Sequence, residues 1–222
     1  LLEYIQDIDS SNTVDGNPIC YWVNRQNEKI PLDAGYVALV NSTNMIVENL
    51  ELKNNSEALL LSFTNHSLIK NNNLTNNLHG IILVRSFNNT LVGNNITNTS
   101  AYSITLYWRS NNNVLISNNI AMNERGLRGL LMMDVANNKI IDNNITNGTE
   151  SGISLSLSDN NELTRNKIAY NNYGVRLDMA SNNRIYNNNF INNTCQAWVD
   201  SSYYRNIWDY GYPYGGNYWS DY

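Results

Sequence analysis

The acidic residues are the first candidates for chemistry, because glycoside hydrolysis needs two carboxylates about 5 to 10 Å apart. When the sequence is aligned on itself at a repeat of about 23 residues, two series of positions are predicted to point outward from strands. These series read Ala38, Leu60, Ile82, Thr105, Leu131, Ser154, Arg176 and Val40, Ser62, Val84, Tyr107, Met133, Ser156, Asp178. Neither contains paired acids, and no two repeats combine several carboxylates for Ca²⁺ with the Arg or Lys base of a lyase. The residues favour a non-catalytic protein.

Donors for a transition metal are few and scattered. Copper sites favour His, Cys and Met. His66, His79 and the five methionines are dispersed along the chain, and Met132 falls at a core position of the repeat. Cys20 and Cys195 lie near opposite ends, too far apart to form a disulfide. The residues therefore predict neither a metal site nor a cofactor.

A binding surface is the hypothesis that the outward residues favour. Aromatic and guanidinium side chains cluster in the middle repeats, and the candidate binding residues are Arg85, Tyr102, Tyr107, Trp108, Arg109, Arg128 and Asp134. They flank a predicted apolar strip that consists of Leu60, Ile82, Val84, Tyr107, Leu131 and Met133. Such a strip is typical of a surface that contacts sugars or proteins. Two alternatives stay open: a loop or another chain covers the strip, and Arg85 pairs with Asp134 across repeats.

These positions require an element that places equivalent residues of successive repeats over one another. Clear copies of the repeat begin at Gly80, Ser103, Gly129, Gly152 and Gly174. One of four apolar columns reads Val37, Leu59, Ile81, Ile104, Leu130, Ile153, Val175. Its neighbour alternates with it at period 2, as on the inward face of a strand, and both halves of each repeat are strand-like, unlike a leucine-rich repeat. The pattern predicts an all-β protein, a right-handed single-stranded parallel β-helix of about seven to eight coils.

Asparagine recurs at fixed places in the repeat, and the chain contains 45 asparagines. One column reads Asn72, Asn94, Asn118, Asn143, Asn166, Asn188. Asparagine tolerates left-handed backbone geometry at sharp corners, and stacked side-chain amides can bond to one another from coil to coil. We expect these residues to belong to the scaffold.

The two ends depart from the repeat. Residues 1–35 are predicted to form an N-terminal cap with an opening strand around Ile19, Tyr21 and Val23, and residues 36–207 the β-helix repeats. Residues 208–222 contain Trp208, Trp219 and five tyrosines, which we expect to cover the open apolar end of the solenoid.

Charge and composition restrict the partners. The net charge of -5 and the scattered Lys and Arg argue against nucleic acid, and no apolar run approaches the ~20 residues of a membrane span. The sequence begins at Leu1 without a signal peptide, so we expect an excised mature segment. Sequons suit a secreted glycoprotein, and the candidate glycosylation sites are Asn41, Asn65, Asn88, Asn95, Asn144 and Asn192.

Several runs resemble the parallel β-helix repeats of the NosD and CASH (carbohydrate-binding proteins and sugar hydrolases) type. They are N-N-K-I-I-D-N-N-I-T-N at 137–147 and N-N-R-I-Y-N-N-N-F-I-N at 182–192, and G-G-N-Y-W-S-D-Y at 215–222 is similar to the tail of archaeal surface proteins. The resemblance covers about residues 36–222. It implies an extracellular cell-surface solenoid for glycan or protein binding or for structural display, with a periplasmic copper accessory protein and a polysaccharide lyase or glycoside hydrolase as alternatives.

Overall fold

The chain is a solenoid whose coils each contribute one strand to each of three sheets that run along a common axis. The computed structural model describes residues 1–200 and 204–221. The first sheet contains the strands Thr13–Val14, Asn17–Val23, Tyr36–Val40, Glu57–Ser62, His79–Val84, Tyr102–Tyr107, Arg128–Met133, Ser151–Ser156, Tyr173–Asp178 and Cys195–Val199.

The other two sheets are built from shorter strands. The second sheet contains Ile46–Glu48, Leu68–Lys70, Thr90–Val92, Val114–Ile116, Lys139–Ile141, Glu162–Thr164 and Arg184–Tyr186. The third sheet contains Glu51–Lys53, Asn73–Thr75, Asn95–Thr97, Asn119–Ala121, Asn144–Thr146, Lys167–Ala169, Asn189–Ile191 and Tyr218–Trp219. Across the described part of the chain the helical content is a 3₁₀ turn at Leu2–Tyr4, and no helix there has the length and apolar character to cross a membrane.

The register of the strands follows the sequence repeat. Leu59 pairs with Ile81, Ile81 with Ile104, and Ile104 with Leu130, all in parallel strands. The members of this column are fully buried and belong to one continuous apolar core. Because equivalent positions of successive coils stack along the axis, the inward residues of these parallel strands appear in the sequence as apolar residues that recur once per repeat. The predicted parallel β-helix is confirmed, with about seven coils.

Buried asparagines form hydrogen-bonded ladders along the axis. The amide of Asn94 donates to Asn118 Oδ1 at 2.9 Å, and Asn118 donates to Asn143 Oδ1 at 3.0 Å. The same oxygens also accept from the backbone N–H of the preceding coil's asparagine. A second ladder runs through Asn89, Asn113, Asn138, Asn161, Asn183 and Asn206. The ladders satisfy backbone groups that the corners leave without sheet partners.

In Asn-Asn pairs of the repeat such as residues 71–72, the first residue has a left-handed backbone and the second takes part in a ladder. Asn71 adopts a left-handed backbone with φ of 54°, while the buried Asn72 takes part in the ladder. Asn137 and Asn138 repeat this division, with φ of 60° at Asn137. The first residue therefore allows the sharp turn, and the second residue forms hydrogen bonds inside the corner.

The N-terminal segment adds a coil that the sequence repeat does not reveal. The strand Asn17–Val23 pairs in parallel with Tyr36–Val40, and Cys20 lies opposite Val37 with its side chain in the core. An isolated bridge from Lys29 to Ile46 continues this coil along the second sheet. Both Cys20 and Cys195 are free thiols.

Aromatic residues close the C-terminal end. Trp219 stacks on Phe190 with ring centroids 4.5 Å apart and an angle of 10° between the planes, and Trp208 lies 5.9 Å from Trp219. Both tryptophans pack against the core. Tyr210 instead stacks on Tyr186 outside the core, and Tyr222, also expected in the cap, lies outside the described residues.

Candidate binding site

The corner of each coil that directly follows the strand of the first sheet carries residues with a left-handed backbone. Equivalent residues there have positive φ in successive coils, and they are Asn24, Asn41, Phe63, Arg85, Trp108, Asp134, Leu157 and Met179. A left-handed backbone is tolerated by Asn but costs about 1 kcal/mol or more for bulky side chains. The first two coils and Asp134 thus follow the local preference, whereas Phe63, Arg85, Trp108, Leu157 and Met179 hold bulky side chains in a backbone conformation that costs stability.

One coil has an extra residue at this corner. Val84 and Ser86 are separated by Arg85 alone, whereas Tyr107 and Ser110 are separated by two residues, Trp108 and Arg109, with φ of 46° and 63°. The backbone N–H of Trp108 donates to the Met133 carbonyl at 3.1 Å, and that of Arg109 to the Asp134 carbonyl at 2.7 Å. These bonds fix the insertion, so that its two side chains project at a defined place.

The projecting side chains surround a cleft of about 610 Å³, a volume in the range of small-molecule sites. Its lining residues are Glu3, Arg85, Phe87, Trp108, Arg109 and Asp134. We call this cleft, with the residues that line it, the corner cleft. The Trp108 side chain is 47% exposed and lies tilted against Tyr107, with ring centroids 5.9 Å apart. An exposed indole on a fixed backbone is suited to stack against a ligand.

The two guanidinium groups of the corner cleft are free to bind. Arg85 lies over the ring of Phe63, 5.5 Å from its centroid, which holds the guanidinium plane and leaves its N–H edges available. Within residues 1–200 and 204–221, no carboxylate lies within 4 Å of Arg85 or Arg109. The possibility that Arg85 is neutralised by an ion pair with Asp134 is therefore wrong.

The N-terminal segment covers one end of the predicted apolar strip. Tyr4 packs on a small cluster of Ala38, Leu60 and Val84, and its carbonyl accepts a hydrogen bond from the Tyr21 hydroxyl at 2.6 Å. Leu60, Val84 and Leu131 are at most 6% exposed, so the expectation of a continuous exposed strip is wrong. The alternative in which another part of the chain covers the strip is correct for Leu60 and Val84, because Tyr4 of the N-terminal segment packs on them.

A second group of residues begins at the first residues of the strands His79–Val84, Tyr102–Tyr107 and Arg128–Met133 and continues to Arg176 and Trp198 in the middle of later strands. Tyr102 packs against His79 with ring centroids 5.4 Å apart, and the Arg128 guanidinium lies 5.8 Å from the Tyr102 ring. Glu150 accepts from both Arg128 and Arg176, and Arg176 lies 4.8 Å from the Trp198 ring. We call this series, from His79 to Trp198, the axial column, because each member belongs to the next coil.

Burial sets the protonation of two groups on this face. Desolvation lowers the pKa of His79, with Glu57 opposing the shift, so the imidazole is neutral near pH 7. Burial also raises the pKa of Tyr107, which remains a phenol and can donate a hydrogen bond. Neither group adds charge to the surface.

Buried polar atoms without a protein partner concentrate on the outer face of the first sheet. Among the described residues, five such side-chain atoms lie there: Ser62 Oγ, His79 Nδ1, Thr105 Oγ1, Arg128 Nε and Ser151 Oγ. Buried polar groups are normally hydrogen-bonded, so these five atoms are exceptions, but their burial keeps them from direct contact with a ligand on the surface.

The predicted binding residues thus form two groups. Arg85, Trp108, Arg109 and Asp134 line the corner cleft and Tyr107 supports its wall. Tyr102 and Arg128 lie at the other ends of their strands, about 16 Å away for five residues of extended chain. The sequence analysis did not name Glu3, Phe87 or Glu150 as site residues. Glu3 and Glu150 lie outside the aligned positions of the repeat. Phe87 could have been predicted, because it lies two residues after Arg85, which was a candidate.

The predicted glycosylation sites are at the surface. Asn41, Asn88, Asn95 and Asn192 are exposed, and Asn65 and Asn144 are half-buried. Several of these amides already bond to the neighbouring coil, as Asn95 does to Asn73 at 2.9 Å and Asn144 to Asn119 at 2.8 Å. Their glycosylation stays a prediction.

The fold is that of a parallel β-helix protein, with polar and aromatic side chains on the outer face of its first sheet. A family model described as periplasmic copper-binding protein (NosD) matches residues 9–128 and 109–222, and the chain therefore belongs to the NosD family. This confirms the NosD-type resemblance. A comparison with curated protein sequences found no significant match.

Solved structures of similar fold include carbohydrate-modifying proteins. The periplasmic alginate epimerase AlgG has a TM-score of 0.63 and 17% identity, with 76% of this chain and 48% of that chain covered. The A-module of Azotobacter vinelandii mannuronan C-5 epimerase AlgE6 has a TM-score of 0.65 and 14% identity, with 88% and 54% covered. The chain thus spans about half the length of these proteins, and at this identity the likeness establishes the fold alone.

The residues present do not fit a copper centre. Cys20 is buried in the first coil and Cys195 lies in the last strand of the first sheet. His66 bonds to Asn88, His79 packs on Tyr102, and the described residues contain no group of three His, Cys, Asp or Glu side chains that could hold a metal ion. Three methionines, Met45, Met122 and Met132, are buried. Copper needs several soft donors converging on one point, which this arrangement does not supply.

Proposed function

We propose that this chain is a glycan-binding solenoid of the periplasm or cell surface, and that it acts without catalysis. The corner cleft is the primary contact, and the axial column is a second contact on the other side of the first sheet, about 16 Å away. The observation that carries the proposal is the insertion Trp108-Arg109, in which two consecutive bulky residues keep a left-handed backbone and expose an indole beside free guanidinium groups.

Sugars suit such a surface for physical reasons. An indole offers a flat apolar face for the C–H side of a pyranose ring, and guanidinium and carboxylate groups bond to its hydroxyls. The description of the family as periplasmic and the alginate-directed names of proteins with the same fold support this ligand class and this location. Another surface protein is the second partner class, since an aromatic and Arg-rich patch also suits a protein interface.

A glycan array tests the proposal. The wild-type chain is expected to bind at least one polysaccharide class, and Trp108→Ala is expected to lower that binding at least tenfold. Tyr170→Ala is the matched control, because Tyr170 is also an exposed aromatic residue with a left-handed backbone but lies at a different corner. Equal losses in both variants, or no binding by the wild type, would contradict the proposal.

Catalysis on polysaccharides is the second candidate. The observation in its favour is the neutral His79 imidazole, which can accept a proton and lies beside the Tyr102 phenol and, one coil further, the Arg128 guanidinium. Glycans retained on the array are therefore incubated with the chain and assayed for new reducing ends and unsaturated products. The non-catalytic proposal requires that neither forms, and a product lost in His79→Asn would replace it by an enzymatic function.

A further inference from the structure

The charges of the corner cleft indicate which glycans it selects. We infer that the corner cleft binds the carboxylate of a uronate residue in an acidic polysaccharide, through Arg85 and Arg109. This inference rests on the proposed glycan-binding function and adds to it the chemical class of the ligand.

Arg85 and Arg109 are suited to a carboxylate because both are exposed and neither is neutralised within the described part of the chain. They belong to consecutive coils, which are about 4.8 Å apart along the axis. Guanidinium groups bind carboxylates through paired charge-assisted hydrogen bonds. Elsewhere on the solenoid, Arg128, Arg165 and Arg176 are already bonded to Glu150 or Asp142.

The backbone at this corner departs from the usual residue preference at both arginines. The equivalent positions of the first two coils are Asn24 and Asn41, the residue type that tolerates positive φ. Arg85 has φ of 49° and Arg109 has φ of 63°, which Asn would adopt at lower cost. Arg165 has a similar φ of 57° but is bonded to Asp142, so what distinguishes Arg85 and Arg109 is that no carboxylate of the described residues neutralises them.

Two acidic residues also line the corner cleft, and they make the inference testable by charge. Glu3, on the N-terminal 3₁₀ turn, and Asp134 add negative charge near the guanidinium groups without forming ion pairs with them. Removal of the Glu3 charge is therefore expected to strengthen binding of an anionic glycan and to leave a neutral one unaffected. A merely structural role of Glu3 would not distinguish the two ligands.

The experiment compares oligogalacturonate with the fully methyl-esterified oligomer of the same length by isothermal titration calorimetry at low ionic strength. The ester keeps the sugar backbone and removes the charge. We expect the free acid to bind at least tenfold more tightly to the wild type. Arg85→Asn and Arg109→Asn should each weaken binding of the acid at least fivefold, and Glu3→Gln should strengthen it two- to threefold. The Asn variants suit this corner, and thermal unfolding confirms that they are folded.

Arg165→Asn is the matched control, because Arg165 is an exposed arginine with φ of 57° at another corner, bonded to Asp142. Equal binding of acid and ester, or an equal loss in the control, would overturn the uronate assignment. If a neutral glycan on the array binds through Trp108 but oligogalacturonate does not, the uronate inference fails and the proposed function stands. If no glycan binds, both fail.

Discussion

The side-chain amide of Asn94 donates a 2.9 Å hydrogen bond to Oδ1 of Asn118, 24 residues further along the chain. Asn94 also donates to the Ile69 carbonyl in the coil before it at 3.0 Å. One buried side chain thus bonds to the coils on both sides. This relationship shows that residues one repeat apart lie over one another, and the assignment of inward and outward faces follows from it.

Removal of one asparagine from the buried ladder should lower the free energy of unfolding. Asn118→Ala removes the acceptor of the Asn94 amide and backbone N–H, and the donor to the Leu91 carbonyl, in a site that is 1% exposed. We expect the free energy of unfolding in urea to fall by about 2 to 4 kcal/mol. Asn119→Ala is the control, since its amide bonds to Asn95 on the half-exposed outer surface, and its cost should stay below about 1 kcal/mol. Similar losses in both variants would contradict a structural role of the buried ladder.

Left-handed corners outside the corner cleft should accept asparagine with a gain in stability. Leu157 has φ of 49° and is 54% exposed, so Leu157→Asn is expected to raise the free energy of unfolding by about 0.5 to 1 kcal/mol. Leu78, which is 45% exposed and lies outside the positive-φ residues, provides the control. The same substitution at Leu78 should give no gain, and a gain of equal size there would exclude the backbone explanation.

The C-terminal cap should contribute to stability through one aromatic stack. Trp219→Ala removes the ring that covers Phe190 and leaves the last core layer open to water. The expected loss is about 3 kcal/mol, measured by urea unfolding monitored by circular dichroism. Tyr212→Ala removes a fully exposed ring of the same segment and should change stability by less than about 0.5 kcal/mol. If Trp219→Ala were equally harmless, the cap would not protect the core.

Alkaline unfolding should involve Tyr186. Burial, followed by its hydrogen bond to Glu162, raises the pKa of Tyr186 to about 12 from an unfolded value of 10.0. Folding favours the protonated phenol, so this stabilisation is complete below pH 10 and is lost as the pH rises through 12. It is at most about 3 kcal/mol. The difference in unfolding free energy between wild type and Tyr186→Phe should therefore shrink from pH 9 to pH 12, and a constant difference would contradict the assignment.

The sequence predicted the parts of the fold that repeat. The column from Val37 to Val175 and the Asn72 to Asn188 ladder were readable because each coil imposes the same requirement on the equivalent residue. It predicted an opening strand around Ile19, Tyr21 and Val23, where the strand Asn17–Val23 lies, but not the rest of the first coil, because residues such as Lys29 at its bridge do not follow the repeat. The sequence also did not predict that each coil contributes to three sheets. Strands of three residues are too short to show the alternation of apolar and polar residues that identifies a strand.

The site was predictable only in part. Arg85, Trp108 and Arg109 stood out as charged and aromatic residues at outward positions. A cover over the strip was one of the open alternatives, but the sequence did not show that Tyr4 supplies it, because Tyr4 belongs to a segment without the repeat. The carboxylate of Glu150 joins Arg128 to Arg176 from outside the outward columns, so only coordinates could place it.

The most direct test of glycan binding at the corner cleft is a titration of the ¹⁵N-labelled tryptophan indoles observed by NMR, with the Trp108 signal assigned from Trp108→Phe. A glycan retained on the array should shift the indole of Trp108 and leave those of Trp208 and Trp219 in the cap unchanged. A shift confined to the cap tryptophans, with Trp108 unaffected at saturation, would contradict the location of the site.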